Sequence, residues 1–207
     1  DLMTRLVAAS ASDQTAEEIG LLVREAIGEA LRLMTATVGV DLQQIAQVLI
    51  VGNSAMLALL SGRNHHLLLQ PAYWSAQIDC LPAKTDAWLA AWGLQPRAMI
   101  ELVPPLAGFV GSDLLAGILA TRLNRQTAPA LLVDFGTNSE IALWDGSRLW
   151  VTSAAGGPAF EGCGIKCGMP AEPGAIFRVE PDRTGRGFLL EVIGGGAARG
   201  LCGSALV

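Results

Sequence analysis

A chain of 207 residues is long enough for one large domain or two small lobes around a sizeable core. Apolar residues make up 51% and charged residues 16%, and the net charge is −5 with no basic cluster, which argues against nucleic acid as the main partner. No stretch reaches the roughly 18 uninterrupted apolar residues of a membrane span, and no basic leader runs into an apolar core, so a cytoplasmic chain without a membrane partner is expected.

Along the chain, residues 13–38 read as a helix. Asp13 or Thr15 can cap it, Glu17 and Glu18 lie in its first turn, and Gly39 ends it. Ile19, Leu22, Val23, Ala26, Ala30, Leu33 and Met34 form its apolar stripe and are the expected buried face. Residues 41–46 read as a helical turn, 47–51 as a buried strand, and 52–60 as a turn into a second helix. Residues 62–100 are irregular, with three tryptophans (Trp74, Trp88, Trp92) read as core or interface anchors and one short helix near 86–92. A strand at 98–104 runs into a proline-stiffened loop, and a helix at 112–123 is capped by Ser112 or Asp113. Strands follow at 130–134, 139–144, 148–152, 174–179 and 187–193.

Helices first and strands later give a mixed α/β chain. It divides into residues 1–129 and 130–207, the second part glycine-rich. Four cysteines, Cys80, Cys163, Cys167 and Cys202, lack the tight paired spacing of a zinc or iron–sulfur site and read as reduced thiols. The chain begins without methionine and ends in an apolar run, so it is expected to be a piece of a longer polypeptide.

The stretch LLVDFGTNSEIALW (131–144) is strand, turn, strand. Its tip is Gly136-Thr137-Asn138. Glycine lets the backbone come close to a ligand and adopt positive φ, and Thr137 and Asn138 add donors on the same side, a set that suits phosphate. Asp134 at the strand end can hold Mg²⁺ through its water shell. An ordinary hairpin with Gly and Asn turn chemistry explains the same residues. Glu140 either polarises an attacking water or faces solvent. In SAAGGPAFEG (153–162), Gly156 and Gly157 precede a helix start whose free N–H groups favour an anion, Pro158 suits the first helical turn, and Glu161 either orients water or is exposed. Asn53 and Asp113 read as helix caps before cleft residues. The run GGGAARGLCGS (194–204) is too glycine-rich for a strand interior; its Gly195, Gly203 and Ser204 can pass close to a nucleotide.

The hairpin resembles the Asp-x-Gly-Thr-Asn-x-Glu phosphate hairpin of the acetate and sugar kinase, Hsp70 and actin (ASKHA) superfamily. Together with VGNSAM (51–56), PPLAGFVGSD (104–113), SAAGGPAFEG and GLCGSALV (200–207), the chain resembles the carboxy-terminal domain of the reductive activators of corrinoid proteins. That resemblance implies a partial RNase H-like α/β domain, a mixed sheet with flanking helices, in which 1–129 and 130–207 are parts of two lobes. It implies ATP and Mg²⁺ as ligands, with Asp134 and Glu140 catalytic, Asp134 the water-mediated metal contact, and Gly136, Thr137, Asn138, Gly156, Gly157, Gly195, Gly203 and Ser204 at the nucleotide. It implies a corrinoid protein of a methyltransferase system as partner, and a homodimer is a further expectation. In that family a [2Fe–2S] ferredoxin-like domain, a middle domain and a first phosphate hairpin precede this region, and all are expected outside this chain. Two other classes stay open: a phosphotransferase for a small substrate, and a non-catalytic binding or dimerisation module drawing on residues 62–100.

Overall fold

The computed structural model describes residues 2–136, 138–156 and 166–205. Residues 5–122 form one compact unit, and residues from Leu123 onward, with the first four, form a second. Among the described residues, no helix is long and apolar enough to cross a membrane.

The first unit is mostly helical. Helix α1 (Leu2–Ala9), absent from the sequence expectations, leads into α2 (Asp13–Val38), the span expected. Its cap is Ser12, not Asp13 or Thr15: the Ser12 side chain accepts from the Thr15 N–H at 3.1 Å. Gly39 closes α2 in the left-handed conformation. Strand β1 (Gln47–Ile50), α3 (Ser54–Ser61), α4 (Asp86–Trp92), β2 (Met99–Leu102) and α5 (Ser112–Thr121) complete the unit, with β1 and β2 paired in parallel. The Asn53 side chain accepts from the Met56 N–H at 2.9 Å and caps α3, as expected.

The buried face of α2 differs from the stripe of large apolar residues. Its buried positions are Ala16, Gly20 and Gly28, whereas Leu22, Leu33 and Met34 are 64%, 63% and 64% exposed. Close approach decides this. A Cβ on Gly20 would lie 2.9 Å from the Leu59 carbonyl oxygen of α3, and one on Gly28 would lie 2.8 Å from Trp92 Cδ1 of α4. Two neighbouring helices thus dock where α2 has no side chain to hold them off. Arg24 ties the three together. Its guanidinium donates to the Leu60 carbonyl and to Glu17, and lies 5.8 Å from the Trp88 ring centre, while Trp92 Nε1 donates to the Arg24 carbonyl at 2.8 Å. Trp88 and Trp92 are core residues; Trp74 is exposed and meets Phe109 edge-on.

The turn after β1 and the start of α5 interlock through backbone. Neither Ser112 nor Asp113 caps α5 as expected: its N-cap is Gly111, without a side-chain bond. The Ser112 hydroxyl is fully buried and accepts from the Gly52 N–H at 3.2 Å, and the Ser112 N–H donates to the Gly52 carbonyl at 3.0 Å. The Asp113 carboxylate accepts from the adjacent Leu114 N–H.

The second unit carries two three-stranded sheets. In the first, β3 (Ala130–Phe135), β4 (Asn138–Trp144) and β5 (Leu149–Ala155) run antiparallel in that order. In the second, β6 (Ala175–Pro181) lies between antiparallel β7 (Phe188–Val192) and parallel β8 (Gly200–Leu201). The glycine-rich run thus does hold a strand, because the Cys167 carbonyl packs where a Gly200 Cβ would sit, 2.6 Å away.

Two measurements test this packing. A Cβ on Gly111 would stand 2.4 Å from the Gly52 carbonyl oxygen, so Gly111→Ala is expected to cost on the order of 3 kcal/mol. Denaturant unfolding at wild-type stability would refute the interlock. Burial first, then the Asp79 charge, pushes the Cys80 thiol up to about 12. In native protein at pH 8, iodoacetamide should therefore modify exposed Cys167 and spare Cys80, read by peptide mass spectrometry; equal labelling of the two would contradict the buried placement.

Candidate functional site

The β3–β4–β5 sheet brings four polar residues to one end of one face. Asp134 on β3 is the register partner of Glu140 on β4, and Glu140 is the register partner of Ser153 on β5. Register partners leave a sheet on the same side with Cβ atoms about 5 Å apart. Asn138, two residues before Glu140, shares that side. Farther along, the same face continues through Leu132, Ala142 and Val151, with Ala142 fully buried. Ala142 takes the apolar part of the face into the core, and its polar end is the candidate site.

The two carboxylates have opposite surroundings. Asp134 is exposed at the strand end. Glu140 is 6% exposed, which corrects the solvent-facing alternative: the core-facing side of the sheet takes it inward. A buried carboxylate is costly unless hydrogen-bonded. The Ser153 hydroxyl supplies one such bond, donating to Glu140 Oε1 at 3.3 Å. Ser153 was legible only as part of a motif. Counting outward from the Asp145–Arg148 turn would have paired it with Glu140.

The tip corrects two sequence expectations. The Gly136 N–H donates to the Asn138 carbonyl at 2.8 Å, so it closes the hairpin rather than standing free for an anion. Gly136 also does not adopt positive φ. A Cβ there would lie 3.3 Å from the Asn138 oxygen, so close backbone approach is what glycine provides. Thr137 lies outside the described residues, as do Gly157, Pro158, Glu161 and Cys163. Gly156 follows β5 directly and is half-buried. Gly195 sits in a turn after β7 in the left-handed region, and Gly203 and Ser204 in a turn after β8, so these three belong to the other sheet.

The turn joining β4 to β5 sets the Glu140–Ser153 register. Its Asp145 carboxylate accepts from Trp150 Nε1 at 2.9 Å, from the Arg148 N–H at 2.7 Å and from the Ser147 N–H at 2.8 Å. Those bonds, the Trp150 indole first, hold the Asp145 carboxyl well below the usual carboxylate range. Asp182 does the same for the β6–β7 turn, held low chiefly by the Thr184 hydroxyl.

Among the described residues, no group of three or more His, Cys, Asp or Glu side chains is placed to hold a metal ion. Two carboxylates on one face, one of them exposed, fit a hydrated Mg²⁺, which keeps most of its waters. A groove of about 460 Å³ within residues 5–122, lined by Arg24, Gly28, Arg32, Lys84, Trp88 and Trp92, contains none of the residues read as phosphate-binding.

Comparison with known proteins identifies the family. The model of the RACo middle region matches residues 1–126, and that of the carboxy-terminal ASKHA domain of RACo matches residues 128–207. The corrinoid activation enzyme RamQ of Eubacterium limosum is 32% identical over 209 residues, covering 100% of this chain and 34% of that protein. The [Co(II) methylated amine-specific corrinoid protein] reductase of Methanosarcina barkeri is 32% identical over 173 residues, covering 78% of this chain and 31% of that protein. A solved reductive activator for corrinoid, iron–sulfur protein superposes with a TM-score of 0.67 at 29% identity, covering 100% of this chain and 32% of its own. The chain thus spans about a third of the length of these relatives. It belongs to the RACo family of corrinoid-protein activators, and its fold is of the ASKHA type. One expectation is overturned: the middle region lies within this chain, at residues 1–126, and not upstream of it.

The turn chemistry has a pH signature. Asp145 and Asp182 have depressed values in the folded chain, so their contribution is complete above the unfolded carboxylate range, near pH 4, and is lost as pH falls below it. Thermal melts should therefore drop as pH falls below about 4, and Asp145→Asn should shrink that drop. An unchanged acid profile in the variant would contradict this role.

Proposed function

We propose, on the basis of that membership, that the complete protein uses ATP to return a cobalt(II) corrinoid on a partner protein to cobalt(I), and that this chain supplies part of the ATP-binding domain. The observation that carries the reading is the Asp134–Glu140 pair at the end of a glycine-tipped hairpin, one carboxylate exposed and one buried. Residues 1–129 and 130–207 act as parts of two lobes, a division supported by the change of family region after residue 126 and by the compact-unit boundary at Leu123. A cytoplasmic setting and a homodimer belong to the same reading, and sedimentation of the full-length protein tests the second.

In this reading Asp134 holds Mg²⁺ through its waters, and the metal when bound neutralises charge on the phosphates. Thr137 and Asn138 offer hydroxyl and amide donors to the phosphates. Gly136 contributes by keeping the backbone close, since its own N–H is engaged within the turn. Gly156 and Gly157 contribute N–H groups following β5. Gly195, Gly203 and Ser204 line the nucleotide from the other sheet. Glu140 is held in one orientation on a rigid strand and orients the attacking water; a carboxylate preorganised in a low-dielectric site acts without reorganising during reaction. Nucleotide turnover would bias a conformational change that favours the otherwise uphill reduction of cobalt, for which a [2Fe–2S] domain of the complete protein would supply the electron.

In full-length protein, Asp134→Ala should lower ATP turnover about 10²–10³-fold, the scale of removing a key polar group from a charged transition state. Corrinoid reduction, followed by the cobalt absorbance, should fall in parallel. The 207-residue chain alone should bind ATP weakly and hardly hydrolyse it, because phosphate groups in this fold are held by two opposed hairpins. Micromolar affinity in a calorimetric titration of the chain alone would count against the reading. ATP turnover that responds to small hydroxyl or carboxyl substrates and ignores the corrinoid protein would redirect it to a phosphotransferase.

A further inference from the structure

We infer that Ser153 is a positioning residue for the nucleotide chemistry, acting through Glu140. This rests on the reading of Glu140 given above. Ser153 lies opposite Glu140 in the sheet register, and its hydroxyl donates to Oε1 at 3.3 Å. Glu140 is buried, so its carboxylate cannot rely on bulk water to choose one orientation among its rotamers. Asp134, on the opposite flank, carries the same charge and would push the carboxylate away if nothing restrained it. A hydroxyl on β5 supplies one such restraint without adding charge. Because β5 pairs with the middle strand β4 at seven register positions, the donor sits on a rigid element. Ser153 therefore sets where Glu140 points, while Glu140 alone meets the water.

A purely structural serine would satisfy the carboxylate and affect only stability. The two roles separate in a double-mutant cycle in the full-length protein, with ATP turnover, KM for ATP and melting temperature measured for Ser153→Ala, Ser153→Thr, Glu140→Gln and the double variant Ser153→Ala/Glu140→Gln. The inference expects Ser153→Ala to lower kcat about tenfold with KM little changed, as for loss of a hydrogen bond to a charged group. Ser153→Thr, which keeps the hydroxyl and suits a strand, should recover most of that loss. In the Glu140→Gln background the Ser153→Ala change should add almost nothing. If Ser153→Ala melts below the assay temperature, Ser153→Cys carries the same comparison, since it keeps the shape and weakens the donor. A full additional loss in the Glu140→Gln background overturns the inference, as does a kcat near wild type with only a lowered melting temperature. Wild-type turnover in Glu140→Gln alone overturns the underlying reading of Glu140 instead, and the inference with it.

Discussion

The antiparallel register of β3, β4 and β5 is the constraint on which the candidate site depends. Side chains alternate faces along a strand, so a slip of one residue in β4 would carry Glu140 and Asn138 to the opposite side of the sheet. Asp134 would then face Ser139 or Ile141, and Ser153 would have no carboxylate to meet. Two local devices hold the alignment. The Gly136 N–H bond to the Asn138 carbonyl closes one end, and the Asp145 carboxylate gathers donors from the 147–150 segment at the other. The placement of the two carboxylates therefore rests on turn residues outside the pair itself.

That register also explains why two carboxylates in one hairpin differ. Asp134 lies on the outer strand at the tip and remains in water. Glu140 lies on the middle strand, where β3 and β5 flank it and the apolar continuation through Ala142 draws the face into the core. Unequal solvation suits similar groups to unequal tasks: a wet carboxylate fits the hydrated ion proposed for Asp134, and a dry, hydrogen-bonded one fits the orienting role proposed for Glu140. The opposite face of the same sheet carries exposed Leu131, Phe135, Leu143 and Trp150.

Residues 5–122 are held by a different means. There, absent side chains matter as much as present ones. Gly20 and Gly28 admit α3 and α4 against α2, and Gly111 admits the turn after β1. Two motifs that single out this family resemblance, VGNSAM and PPLAGFVGSD, meet at that last contact, where Ser112 and Gly52 exchange backbone and hydroxyl bonds. Their glycines and small polar residues are accounted for by packing and capping, and no ligand is needed to explain them.

Local signals in the chain sufficed for most elements. Gly39 and Gly62 end helices in the left-handed conformation, alternation marks β3 and β4, and the Asp-Gly turn at 145–146 separates β4 from β5. The strand–turn–strand hairpin with Asp134 at a strand end was equally legible, because turn chemistry is a property of neighbouring residues, although the use of the Gly136 N–H within the turn was not. Burial was not. The large apolar residues of α2 suggested one face, and the structure buries the glycine face, since interhelical distance depends on partners far along the chain, Leu59 for Gly20 and Trp92 for Gly28. For the same reason the sequence left Glu140 open between a water-polarising and a solvent-facing residue, and showed Ser153 only as part of a motif. Their meeting depends on which strand pairs with which, and on which face of that sheet becomes core; only the tertiary structure decides either, because burial is a property of the whole packed surface and not of any one stretch of chain.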